Sequence, residues 1–172
     1  MPNWSNKDER QYEHIKEGQM ERGTRAGRAK EIAEDVLKHC GFREVESDLR
    51  LKSGVEINFS AVDRKGRTWY FDVSGAFTSS RPGLRRTDTL WKALGKAAVL
   101  KEAAVTSHRL VFLTTDLPPK GSAGHSALNS VRGSIYHDAI TMLSERGLER
   151  LARYAKGEGR KEPLGELLSP KD

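Results

Sequence analysis

The residues best placed to do chemistry stand two apart on consecutive apolar stretches. Glu56 and Asn58 lie in the run GVEINFSAV (54–62), and Asp72 and Ser74 lie in the run TWYFDVS (68–74). Residues two apart on a strand share a face, so each stretch presents a pair of oxygen-bearing side chains on one side. Hard divalent cations such as Mg²⁺ or Mn²⁺ take oxygen ligands. A bound ion of this kind polarises a phosphodiester and activates the water that attacks it. Two adjacent strands can bring such oxygens within reach of one ion.

These side chains need a scaffold, and the hydrophobic pattern predicts one. Residues 29–40, AKEIAEDVLKHC, carry Ile32, Val36 and Leu37 at helical spacing, and Gly41 stands where a helix stops. Phe42 and Val45 then suggest a short strand or an irregular connection. Val55, Ile57 and Phe59 alternate with Glu56, Asn58 and Ser60, predicting a strand over about 55–62 with the apolar set on one face. Asp63-Arg64-Lys65-Gly66 is a turn sequence, and 68–74 the returning strand, which together make an antiparallel hairpin. Residues 75–88 read as a loop, 89–104 as a helix capped by Thr87 or Asp88, and 109–115 as a buried strand. Helix is expected to begin again at 124–131. Residues 134–156 read as one or two helices interrupted at Gly147. The predicted fold is α/β, a mixed central sheet flanked by helices. A polar, basic arm over 1–28, with a short helix near 6–20, precedes the domain at 29–156, and a frayed tail follows at 157–172.

Residues 29–42, 54–63 and 69–75, taken together, resemble the PD-(D/E)XK nuclease superfamily, which includes type II restriction enzymes and archaeal-type Holliday-junction resolvases. That family runs from a helix bearing a glutamate, through a strand like G-x-E-I-D, to a strand like (D/E)-x-K. The later helix and the strand RLVFLTT (109–115) fall in the same order. The resemblance covers roughly 27–145. It implies a restriction-endonuclease-like fold and a Mg²⁺- or Mn²⁺-dependent DNA endonuclease of restriction type. Glu31 matches the helix glutamate and Asp72 the second acidic position. Asn58 falls on the first metal-binding aspartate, and Ser74 on the catalytic lysine.

The two departures have physical weight. An amide oxygen can ligate a cation but lacks the charge that holds it. Three accounts of position 58 stay open: Glu56 compensates, the metal binds weakly, or an aspartate has been lost. A serine cannot replace an ammonium group beside developing negative charge. Lys92 and Lys96 stand four apart on one helix face, and Lys92 is the expected substitute, with Lys96 on the DNA. The alternative is a DNA-binding module of the same fold without a metal site.

The segment SSRPGLRRTD (79–88) gathers Arg81, Arg85 and Arg86 just after the second strand. Guanidinium forks suit phosphate oxygens, so these arginines are expected to grip DNA. Net charge agrees in sign. The 172 residues carry 30 Lys and Arg against 24 Asp and Glu, a formal +6, which favours a polyanionic partner. With one cysteine, Cys40, an intrachain disulfide is excluded, which suits a cytoplasmic location. Five scattered histidines lack HxH or HExxH spacing, which gives little support to a zinc enzyme. No run is apolar enough for a membrane span. Trp69 and Trp91 are expected in the core. Cutting both strands of a duplex requires two sites, which a symmetric dimer would supply.

Overall fold

The structure is a computed structural model and describes residues 26–75, 83–103 and 109–158. In chain order these form α1 (Ala26–His39), β1 (Arg43–Arg50), β2 (Glu56–Val62), β3 (Thr68–Ser74), a 3-10 turn (Gly83–Arg85), α2 (Thr87–Glu102), β4 (Leu110–Thr114), α3 (Ala123–Val131), β5 (Asp138–Thr141) and α4 (Glu145–Ala155). The five strands make one sheet in the order β1-β2-β3-β4-β5. The first three form an antiparallel meander, and β3, β4 and β5 run parallel. The result is an α/β fold with a mixed sheet and helices on both faces.

Two apolar clusters hold the layers. On one face, Ile32, Val36 and Leu37 of α1 and Leu148, Leu151 and Tyr154 of α4 pack on Phe59, Trp69, Phe71, Val111 and Leu113. On the other, Leu90, Ala93, Leu94, Ala97 and Leu100 of α2, with Leu128 of α3, pack on Leu110 and Phe112. Strand β4 is buried along its whole length, as a strand covered on both faces should be. Alternation fixes the faces of β3. Trp69 and Phe71 belong to the α1 and α4 side, so Tyr70 and Asp72 turn toward α2.

Several expectations change. Residues 43–50 form a full strand at the sheet edge, mostly exposed and bulged between Arg43 and Glu46. Residues 138–141 are strand rather than helix, because a buried parallel position needs no alternation to announce it. Gly147 does not interrupt a helix but lies in the first turn of α4, where its N–H donates to the Ser144 N-cap. A Cβ at Gly147 would meet the Thr141 carbonyl oxygen at 2.5 Å. The N-cap of α2 is Arg86, not Thr87 or Asp88. Ile57 and Phe59 do not share a core. Phe59 joins the α1 side, while Ile57 joins the α2 side. Trp91 is 59% exposed and not a core residue. The expected helix near 6–20 and most of the arm and tail lie outside the described residues.

Candidate active site

Strands β2 and β3 stay in register from Val62↔Thr68 to Phe59↔Phe71. Beyond that pair the Asn58 side chain takes over: its Oδ1 accepts the Val73 N–H at 2.7 Å. Asn58 therefore sits against the Val73 backbone, next to Asp72 in the chain. The ordinary backbone ladder lapses here, and Ile57 crosses to the other core at the same point.

Asp72 is 3% exposed. Lys96 of α2 donates to its Oδ1 at 2.7 Å. The contact follows from the two periodicities. Asp72 faces α2 by strand alternation, and Lys96 flanks the apolar stripe of Leu90, Ala93, Ala97 and Leu100 by which α2 lies on the sheet. The lysine stem lies along the packed surface, and the side chain remains 38% exposed. Burial pushes the Asp72 carboxyl above its ordinary range, and the charge and hydrogen bond of Lys96 pull it only partly back. The result is a buried carboxylate held by one partly exposed cation.

Other residues expected at the site are placed differently. Ser74 is buried at the end of β3, in register with Thr114. Lys92, one helical turn before Lys96, is exposed; Lys96 is the lysine that reaches Asp72. Glu56 is exposed at the first residue of β2, opposite Arg50, and makes no bond to Asp72. Glu31 is exposed on α1, a helix that packs on the sheet face opposite Lys96, so the structure does not bring it to the pair. Arg85 reaches Asp116 at 3.3 Å, and Arg86 pairs with Asp88 at 3.2 Å. Arg81 lies outside the described residues.

Gly75 and Gly83, on either side of residues outside the described set, stand in close contact. Gly75 has φ +126° and Gly83 φ +60°, and a Cβ on Gly75 would stand 2.9 Å from the Gly83 Cα. Only glycine allows these backbones to approach so closely in left-handed conformations. The contact fastens the turn before α2 to the end of β3, an interior strand, and so sets where α2 begins over the sheet.

Comparison with protein-family models, curated proteins and solved structures finds no match to this chain.

Asp72, Asn58 and Ser74 offer only oxygen donors, which suits Mg²⁺ or Mn²⁺ and not a zinc site. Lys96 engages one Asp72 oxygen, and the Asn58 oxygen keeps a second lone pair beside the Val73 N–H. Among the described residues no group of three or more His, Cys, Asp or Glu is placed around an ion. One carboxylate with an amide oxygen beside it is a sparse donor set, and a divalent ion there would need waters or a substrate oxygen to complete its shell.

A second charged cluster escaped the sequence reading. Asp138 of β5 is fully buried and accepts from Arg150 at 2.8 Å and the Tyr154 hydroxyl at 2.7 Å; Arg132 reaches it at 2.9 Å. It ties α4 and the end of α3 to the sheet. Cys40 is also buried, and burial pushes its thiol up to about 12, which makes it unreactive. No described helix is long and apolar enough to cross a membrane.

Proposed function

We propose that this chain is a metal-dependent DNA endonuclease of PD-(D/E)XK type whose catalytic lysine stands on the helix after the second motif strand. The observation that carries this reading is Lys96 at 2.7 Å from buried Asp72, which supplies the carboxylate–lysine pair that Ser74 cannot complete. Asp72, with the Asn58 amide oxygen, would hold Mg²⁺, and the ion would polarise the phosphate. The chain's own groups have separate tasks. Lys96 places positive charge where a phosphoryl oxygen gains negative charge. Asn58 fixes the splayed strand ends through the Val73 N–H. Arg85 and Arg86, exposed before α2, would bind phosphates along the strand.

The second reading is a DNA-binding module of the same fold without catalysis. Two observations favour it: a neutral amide at position 58, and an Asp72 charge already balanced by Lys96.

One experiment separates them. Supercoiled plasmid and labelled duplex are incubated with the wild type, Asn58→Asp, Asp72→Asn and Lys96→Met in Mg²⁺ and in Mn²⁺. The nuclease reading expects nicking by the wild type with Mn²⁺ and faster nicking by Asn58→Asp. It expects a loss of about 10²-fold or more in Asp72→Asn and Lys96→Met. If neither the wild type nor Asn58→Asp cuts any DNA with Mn²⁺, the enzyme reading is wrong. Binding that weakens steeply with salt then supports the module.

A further inference from the structure

On the far flank of α2 from Lys96 lies a hollow of about 370 Å³. Its apolar walls are Leu84, Leu90, Pro118 and Pro119, and Trp91 stands at its rim. The volume is within the range of roughly 300–1,000 Å³ that small-ligand sites occupy. Trp91 is 59% exposed, the one large aromatic among the described residues left so open. Tryptophans are usually buried or stacked, because the indole face gains from covering.

The polar lining selects the occupant. Arg85 borders the hollow, and no acidic residue lines it. Asp116 accepts from Arg85 at 3.3 Å, but a guanidinium carries five donors and keeps several for a ligand. An aromatic wall beside a cation whose carboxylate partner, Asp116, lies outside the lining suits a flat ring joined to a phosphate. Trp91 precedes Lys96 by five residues, about 7.5 Å along the helix axis and roughly 140° around it, and exposed Lys92 lies between them.

We propose that this hollow receives one unpaired base of a DNA strand, stacked on Trp91, while Arg85 and Lys92 contact the adjoining phosphates. The inference rests on the nucleic-acid reading above and narrows its substrate. The target is DNA with an unpaired or extruded base, at a bulge, junction or single-stranded end, in place of continuous duplex. Stacking on an exposed aromatic tolerates any base because each offers a π-face.

The test measures binding by fluorescence anisotropy in EDTA, where no cutting occurs. The probes are two labelled duplexes, one fully paired and one with a single unpaired thymine. The wild type should prefer the bulged duplex. Trp91→Ala should lose about tenfold in affinity for it while binding the paired duplex as before. Trp91→Phe should keep most of the preference. Circular dichroism checks that each variant is folded, which exposure of Trp91 favours. Equal weakening on both duplexes, or no change on either, overturns the inference and leaves the nuclease reading standing. A wild type that binds neither duplex overturns both readings before any variant is made.

Discussion

Removing Lys96 and removing Asp72 should have unequal effects on the fold, and the inequality tests whether the pair is there for stability. In Lys96→Met the carboxylate of Asp72, 4% exposed as a side chain, loses its cation. A buried charge left without its partner costs roughly 3–5 kcal/mol when the site is fully closed. Because Lys96 is itself 38% exposed, water and salt already screen the pair, and we expect about 2–3 kcal/mol at pH 7. That corresponds to a fall of about 4–12 °C in Tm for a domain of this size. Asp72→Asn leaves an ammonium that can turn to solvent, so its effect should stay within about 1 kcal/mol. The double variant should recover most of what Lys96→Met loses. The pH dependence follows from the direction of the Asp72 shift. Burial raises the folded value above the ordinary 3.8, against the pull of Lys96. The folded chain therefore binds a proton where the unfolded chain has released it, and the associated stability is lost as pH rises through the folded value. Without Lys96 the folded value climbs further, so the deficit of Lys96→Met widens toward neutral pH and closes as pH approaches 3.8. Urea unfolding of the four proteins between pH 4 and 8 measures this. If Asp72→Asn costs as much as Lys96→Met, or if the Lys96→Met deficit does not vary with pH, the pair is an ordinary structural ion pair.

Two further outcomes concern the scaffold. Asp138→Asn should destabilise by about 3–5 kcal/mol, because Arg132 and Arg150, 5% and 11% exposed, would lose a fully buried carboxylate; thermal melts of the purified variant read it. Gly83→Ala should cost about 2–4 kcal/mol and weaken DNA cleavage together with stability, since its Cβ would lie 2.2 Å from the Thr114 Oγ1 at a φ of +60°. Unfolding midpoints and plasmid nicking on the same preparation check whether the two losses move together.

The contrast between β2–β3 and β5 explains how far the residues alone could carry the reading. The hairpin was legible because one turn, DRKG, joins two stretches whose apolar residues recur at period two. Strand β1 was legible only as a short strand or an irregular connection, because an edge strand exposed along most of its length has no apolar period to display. The four-residue β5 and the α4 that follows merged into one apparent helical stretch, since DAIT is too short to show a period. Asp138 was missed for the same reason: its partners Arg132, Arg150 and Tyr154 come from elements whose boundaries had not been drawn.

The lysine shows where local pattern stops being enough. Lys92 and Lys96 share a helix face, and the spacing between them gives no ground for choosing. The choice is made by the register of α2 over the sheet. Leu90, Ala93, Ala97 and Leu100 fix the helix rotation, and the Gly75–Gly83 contact fixes where the helix begins. Those constraints put Lys96 over Asp72 and leave Lys92 in solvent. A carboxylate buried on the α2 face of β3 would, for stability alone, be better replaced by an apolar residue of similar size. Its presence, with a lysine held against it and Asn58 pinning the strand beside it, is costly to the fold. Under the proposed nuclease reading the arrangement has a use, because the Lys96 ammonium, 38% exposed, would exchange Asp72 for an arriving phosphate.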